Sequence, residues 1–217
     1  IMRRLPVYLL IDTSGSMYGE PIESVKNGLQ SLMSSLRQDP YALETAFLSV
    51  IEFNSEATQI VPLTDLMSFH MPDIKAQGVT ALGAALTLLA QKISEEVKKT
   101  TMEEKGDWRP LVFIFSDGSA TDDLQKGIES LKKVKTGIVV GCAAGQQARE
   151  SELQKITESV VKLDNADVNT ISAFFQWVSA SISTNSQKIE SGEREVSQLS
   201  ELPPPPPEIN LVDLTKH

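Results

Sequence analysis

The stretch Val7-Tyr8-Leu9-Leu10-Ile11-Asp12-Thr13-Ser14-Gly15-Ser16 decides how this chain is read. Its first half is an unbroken apolar run with the length of a strand buried on both faces, the pattern of a parallel sheet. The run stops at a carboxylate, and two hydroxyls follow at alternate positions: Asp12, Ser14 and Ser16. At the carboxyl end of a central strand, that spacing turns three hard oxygen groups toward one point. Hard oxygens converging on a point suit a hard divalent cation, Mg²⁺ above all.

Working outward, Pro21 suits the first position of a helix, where a missing N–H costs nothing. Ile22, Val25, Leu29, Leu32, Met33 and Leu36 then recur at spacings of three and four, and the helix should end before Pro40. Leu43 to Phe53 reads as a long strand, with Ala57 to Val61 as its hairpin partner. Pro62 closes that partner, which fits an edge strand. Helical stripes follow at Leu82 to Val97, Leu124 to Val134, Glu150 to Thr157 and Ile171 to Ile182. Strands alternate with them at Leu111 to Phe115, Ile138 to Ala143 and Val160 to Leu163. Such alternation predicts an α/β fold: a doubly wound, mostly parallel central sheet with one antiparallel edge strand and helices on both faces. Ligands of such sheets bind at the carboxyl edge, where the strand order reverses.

Two further segments extend the Asp-x-Ser-x-Ser motif. Thr80 lies in Gly78-Val79-Thr80-Ala81-Leu82-Gly83, just before a helix, and Asp117 follows the strand Leu111-Val112-Phe113-Ile114-Phe115-Ser116. Together they resemble the five-residue signature of a metal-ion-dependent adhesion site, and the chain is similar to a von Willebrand factor A domain of Rossmann-like fold. The resemblance implies a metal held by Asp12, Ser14, Ser16, Thr80 and Asp117, with Mg²⁺ as the ion and Mn²⁺ or Ca²⁺ as substitutes. It further implies that the three hydroxyls ligate directly while the two carboxylates act largely through water. An open position then accepts an Asp or Glu carboxylate of a partner protein.

Met2 to Leu10, Gly19-Glu20-Pro21-Ile22 and Leu36 to Thr45 resemble the bacterial TerY group, A domains encoded with tellurium-resistance and stress genes. That likeness spans about residues 2–185. It implies a stress-response interaction module whose partners are kinase-like, phosphatase-like or TerC/TerD-type proteins. Ser116 stands where the commoner residue is Thr, and Val79 where a small residue is usual; neither change removes a ligand oxygen.

Composition narrows the alternatives. A net charge of −9 argues against nucleic acid and anionic lipid, both of which need a basic face. Cys142, the single cysteine, lies in a strand-like run and reads as a buried structural thiol. The charged opening and short apolar run make neither a signal peptide nor a membrane span, so a reducing cytoplasm is the expected location. A Ser-His-Asp mechanism needs a base within reach of the serine, and only His70 and His217 exist. No nucleophile elbow, phosphate loop or dinucleotide fingerprint occurs. The chain is thus expected to be a binding protein rather than an enzyme, with a metal-dependent phosphoesterase as the alternative.

The domain is expected to span residues 1–190. Residues 191–217 turn polar and then run through Pro203 to Pro207, which reads as a flexible tail with a stiff polyproline rod. That rod reads as a spacer or as a ligand for an aromatic groove. Ile209 to Val212 is a docking strand, a docking helix or neither.

Overall fold

The strand predicted from the opening stretch is β1 (Leu5–Asp12), and every residue in it is buried. In the computed structural model, which describes residues 3–212, alternate side chains of β1 feed two separate cores. Leu5, Val7, Leu9 and Ile11 join one, Tyr8 and Leu10 the other. Its neighbour β2 (Ala46–Phe53) runs parallel to it, as does β4 (Leu111–Ser116) on the other side. The chain order across the sheet is β3-β2-β1-β4-β5-β6-β7, with β3 (Ala57–Asp65), β5 (Val139–Ala144), β6 (Ser159–Leu163) and β7 (Asn210–Leu211). The order reverses between β1 and β4, which makes the gap above them the switch point where α/β sheets bind ligands.

Both faces are covered. The first core lies under α1 (Glu20–Arg37), α2 (Pro40–Thr45) and α6 (Val168–Glu190). The second lies under α3 (Leu82–Glu96), α4 (Leu124–Lys132) and α5 (Glu150–Ile156). Helix α6 packs aromatics onto β4: Phe115 and Phe174 have ring centroids 5.5 Å apart, and Phe113 meets Trp177 edge-on at 6.4 Å. Such pairs add about 1 kcal/mol to plain area burial. Gly28 lets α1 close on α6, since a Cβ there would stand 2.3 Å from the Phe175 ring. Cys142 is fully buried in β5, and burial pushes its thiol pKa up, as expected of a structural thiol. No helix among the described residues is long and apolar enough to cross a membrane.

The structure corrects three expectations. The strand expected from Leu43 starts at Ala46, because Asp39 caps a short helix instead: Tyr41 N–H donates to its Oδ1 at 2.9 Å and Pro40 takes the first helical position. Strand β3 runs through Pro62 to Asp65 rather than stopping. Pro62 is tolerated because β3 is an edge, and it falls in a register irregularity against β2, between the pairs Val50–Val61 and Leu48–Thr64. Beside it the Glu96 carboxylate accepts from Leu63 N–H at 3.0 Å, Gln59 Nε2 at 2.9 Å and Tyr8 OH at 3.0 Å, which ties the strand to the body.

The third correction concerns the end of the chain. Residues 191–212 are not a free tail. Val196, Leu202 and Ile209 are buried, and Trp177 Nε1 donates to Pro203 O at 2.8 Å. Polyproline backbone forms no internal hydrogen bonds, so its carbonyls are free to accept from whatever it lies against. Beyond the rod, Asn210 and Leu211 pair antiparallel with Lys162 and Val161, which gives the sheet a second antiparallel edge. Residues 213–217 lie outside the described part.

Leu202→Ala should therefore cost about 2–3 kcal/mol in urea unfolding. A loss within experimental error would show that residues 191–212 are not docked in solution.

Candidate metal centre

Asp12 ends β1 as a wholly buried carboxylate. Ionised groups are buried only when hydrogen-bonded or paired, and Asp12 is held from three directions. Ser14 N–H donates to its Oδ1 at 2.9 Å, the turn typical of an Asp two residues upstream. Ser116 Oγ donates to Oδ2 at 2.8 Å from the end of β4, and Asp117 N–H adds a weaker contact at 3.4 Å. Parallel pairing of β1 with β4 brings Asp12 to Ser116, so the sheet itself builds this clamp.

From there a chain of oxygens runs to the surface. Ser14 Oγ and Ser16 Oγ lie 3.0 Å apart, and Ser16 Oγ donates to Asp117 Oδ1 at 3.0 Å. Asp117 is partly buried and faces Asp12, and these two causes, burial first, push its pKa up to about 6. Neither carboxylate forms an ion pair with a Lys, Arg or His among the described residues. Two such carboxylates with no protein cation fit a divalent ion that would compensate both. Among the described residues no three His, Cys, Asp or Glu side chains gather round a point, so a cation here has to draw on hydroxyls. Ser14 and Ser16 stand where they would be needed.

Thr80 lies on a separate loop, cross-pinned to the first. Gly15 N–H donates to Gly78 O at 2.9 Å and Gln77 N–H to Thr13 O at 2.8 Å. Gly78 has φ +72°, and a Cβ on it would stand 2.3 Å from Ser55 Oγ, so both backbone and space call for glycine. Thr80 is fixed through its backbone: its N–H donates to Thr121 Oγ1 at 3.1 Å, and its carbonyl accepts from Thr121 N–H at 2.8 Å. The hydroxyl stays available.

The structure reassigns the acidic residues nearby. Thr121, Asp122 and Asp123 all stand just before α4, where a side chain of each type can cap a helix. Only Asp123 does so, through Lys126 N–H at 3.1 Å. Asp122 reaches across to α3, whose own cap is Ala81, and accepts from Gly83 N–H at 2.9 Å and Ala84 N–H at 2.8 Å. Glu20 accepts from Val168 N–H at 3.1 Å at the start of α6. These carboxylates hold helix ends that border the site. Asn54 was missed: its Nδ2 donates to Thr13 Oγ1 at 3.1 Å and its carbonyl accepts from Ala81 N–H at 2.7 Å, joining β2 to both loops. An Asn just after a strand is the only signal the sequence carries for it.

Two outcomes follow. Ser116→Ala leaves one Asp12 oxygen short of a donor, so it should cost about 1–3 kcal/mol of stability. It should also weaken cation binding roughly tenfold by calorimetry, as loss of a group that orients a ligand does. Asp117→Asn removes the repulsion with Asp12, so without cation at pH 7.5 its melting temperature should equal or exceed that of the wild type. A large loss would mean that Asp117 is held by attraction rather than against repulsion.

The family model for the von Willebrand factor type A domain matches residues 7–176. The bovine inter-alpha-trypsin inhibitor heavy chain H3 is 28% identical over 123 residues, 52% of this chain and 13% of that protein. The chain thus spans a small part of this relative. Among solved structures, a von Willebrand factor type A protein from Catenulispora acidiphila aligns with a TM-score of 0.64 at 19% identity, over 84% of this chain and 43% of that one. Proximal thread matrix protein 1 of the mussel byssus, solved with a zinc-occupied MIDAS motif, aligns with a TM-score of 0.57 at 18% identity, over 82% and 45%. These two likenesses concern the fold. With more than half of its length matched by the family model, the chain belongs to the von Willebrand factor type A domain family.

Proposed function

We propose that this chain is a divalent-cation-dependent protein-interaction module, with Asp12, Ser14, Ser16, Thr80 and Asp117 around the ion. One observation carries the reading: two carboxylates, one wholly buried, are linked through Ser14 and Ser16, by the Ser14 N–H at Asp12 and by the two hydroxyls at Asp117, with no cationic side chain paired to either among the described residues. The all-oxygen donor set favours Mg²⁺, with Mn²⁺ or Ca²⁺ as substitutes, over a thiolate- or imidazole-seeking ion. The zinc in the mussel protein's motif shows that an A domain of this fold takes other divalent ions as well.

The bound ion would offer an electrophilic position to a carboxylate from outside. The chain's own residues set what reaches it. Asp12 is fixed from beneath by Ser116, so it cannot swing out. Ser16 and Asp117 are linked at the outer side, where a partner would approach. Tyr18 and Val79, each large, apolar and exposed, stand two residues from Ser16 and one from Thr80. They supply contact area round a central polar anchor, the usual anatomy of an interface. The partner is accordingly a protein presenting an Asp or Glu flanked by apolar surface.

The finer setting rests on the TerY-like stretches: a cytoplasmic module in a bacterial tellurite or chemical-stress system, with kinase-like, phosphatase-like or TerC/TerD-type partners. A phosphoesterase is the weaker reading because no histidine among the described residues stands near the serines. His70 follows β3, whose antiparallel course ends it at the opposite end of the sheet, beside the Arg37 end of α1. His217 lies outside the described residues.

Capture of partners from cells should therefore need Mg²⁺, fail in EDTA and recover when Mg²⁺ is restored. Asp117→Ala and Thr80→Ala should each abolish capture while leaving the circular dichroism spectrum unchanged. Capture that persists in EDTA would overturn the proposal, and so would phosphate-ester turnover lost with Asp12→Ala.

A further inference from the structure

At the end of the sheet opposite the metal centre lies an open cavity of 780 Å³, within the range of small-molecule sites. It opens where Arg3 enters β1, Lys105 and Arg109 lead into β4, and the chain leaves α6 through Arg194. Four cations converge here on a protein of net charge −9, against two acids, Glu193 and Glu195. Trp108 and Val196, both nearly buried, line it between the charges.

The cavity already receives one anion, and it is the chain's own. The Glu195 carboxylate lies 3.7 Å from Arg3 Nη2 and 3.8 Å from Arg109 Nε, and accepts from Arg109 N–H at 3.1 Å. These ion pairs are long and about one-third exposed at Glu195. By contrast, Arg4 and Asp107 meet at 2.6 Å with the carboxylate almost fully buried. Loose, hydrated pairs of this kind contribute little, so they are readily exchanged. Lys105 and Arg194 form no ion pair among the described residues. Guanidinium groups bind phosphate and carboxylate through paired N–H donors, and three of them with Lys105 exceed what Glu193 and Glu195 together can neutralise.

We propose that this cavity binds a small polyanion, a molecule with two or more phosphate or carboxylate groups, and that Glu195 is the tethered carboxylate it displaces. Because Glu195 sits at the start of the docked segment 191–212, a bound polyanion loosens that segment from Arg3 and Arg109. The site is independent of the metal centre and of the function proposed for it.

The test is calorimetric titration of the full chain, in EDTA and low salt, with inorganic pyrophosphate and in a separate arm with citrate. Saturable one-to-one binding of either supports the site, and the stronger arm names the source of the charge. Arg109→Gln and Arg194→Gln should each weaken binding about tenfold, the loss of one hydrogen bond to a charged group. Glu195→Gln should strengthen it several-fold. Glu193→Gln, the same change of charge at a residue with no partner in the arginine pair, should strengthen it less. Thermal melts confirm that each variant is folded. No saturable binding by the wild type or Glu195→Gln at millimolar ligand would overturn the proposal. Equal gains for both glutamate variants, or no loss with either arginine variant, would also overturn it by reducing the effect to general surface charge.

Discussion

The candidate site depends on the burial of one charge. Asp12 is fully excluded from water at the switch point of the sheet, and an unsupported carboxylate there would be too costly to keep ionised. The Ser14 N–H and the Ser116 hydroxyl make it tolerable, and each is supplied by a different structural constraint. One comes from the turn that follows β1. The other comes from the pairing of β1 with β4. The geometry of the centre is thus inherited from the strands rather than assembled by flexible loops, which is the condition for a site that holds its shape.

The loops above the strands are made rigid by one another. Gly15 and Gly78 exchange a backbone hydrogen bond, Thr80 and Thr121 exchange two, and Asn54 spans both loops from β2. Asp122 caps a helix that is not its own. The close approach of α3 and α4 underneath needs glycine on both sides: a Cβ on Gly127 would stand 2.4 Å from Gly83 O. Three stretches distant in sequence are thereby held as one surface, and the acids bordering it are consumed in holding it. Asp117 is the exception, a partly buried carboxylate facing another. Its unfavourable position is what a bound cation would relieve.

Much of the fold was legible in the sequence because its signals are local. The apolar runs of β1 and β4 and the stripes of α1, α3 and α6 need no knowledge of the rest of the chain. The misreadings arise where a distant partner decides. Leu43 is apolar enough for a strand, yet Asp39 and Pro40 begin a helix there. Pro62 looks like a terminator until β3 is known to be an edge. Val196, Leu202 and Ile209 are isolated apolar residues in a polar, proline-rich stretch, with no period to betray that they dock. Within the candidate site, Asp12, Ser14 and Ser16 announce themselves by spacing, and Ser16 meets Asp117 across 101 positions. The parts that hold them, such as Ser116, Asn54 and Thr121, are ordinary polar residues whose roles exist only in three dimensions.

The central claim is that the hydroxyls and carboxylates above β1 and β4 hold a divalent cation. Anomalous diffraction from crystals soaked in Mn²⁺ tests it most directly. The account predicts one strong peak bonded by the Ser14 and Ser16 hydroxyls, with Thr80, Asp12 and Asp117 in its direct or water-bridged shell. A peak held by other residues, or none at millimolar Mn²⁺, would contradict it.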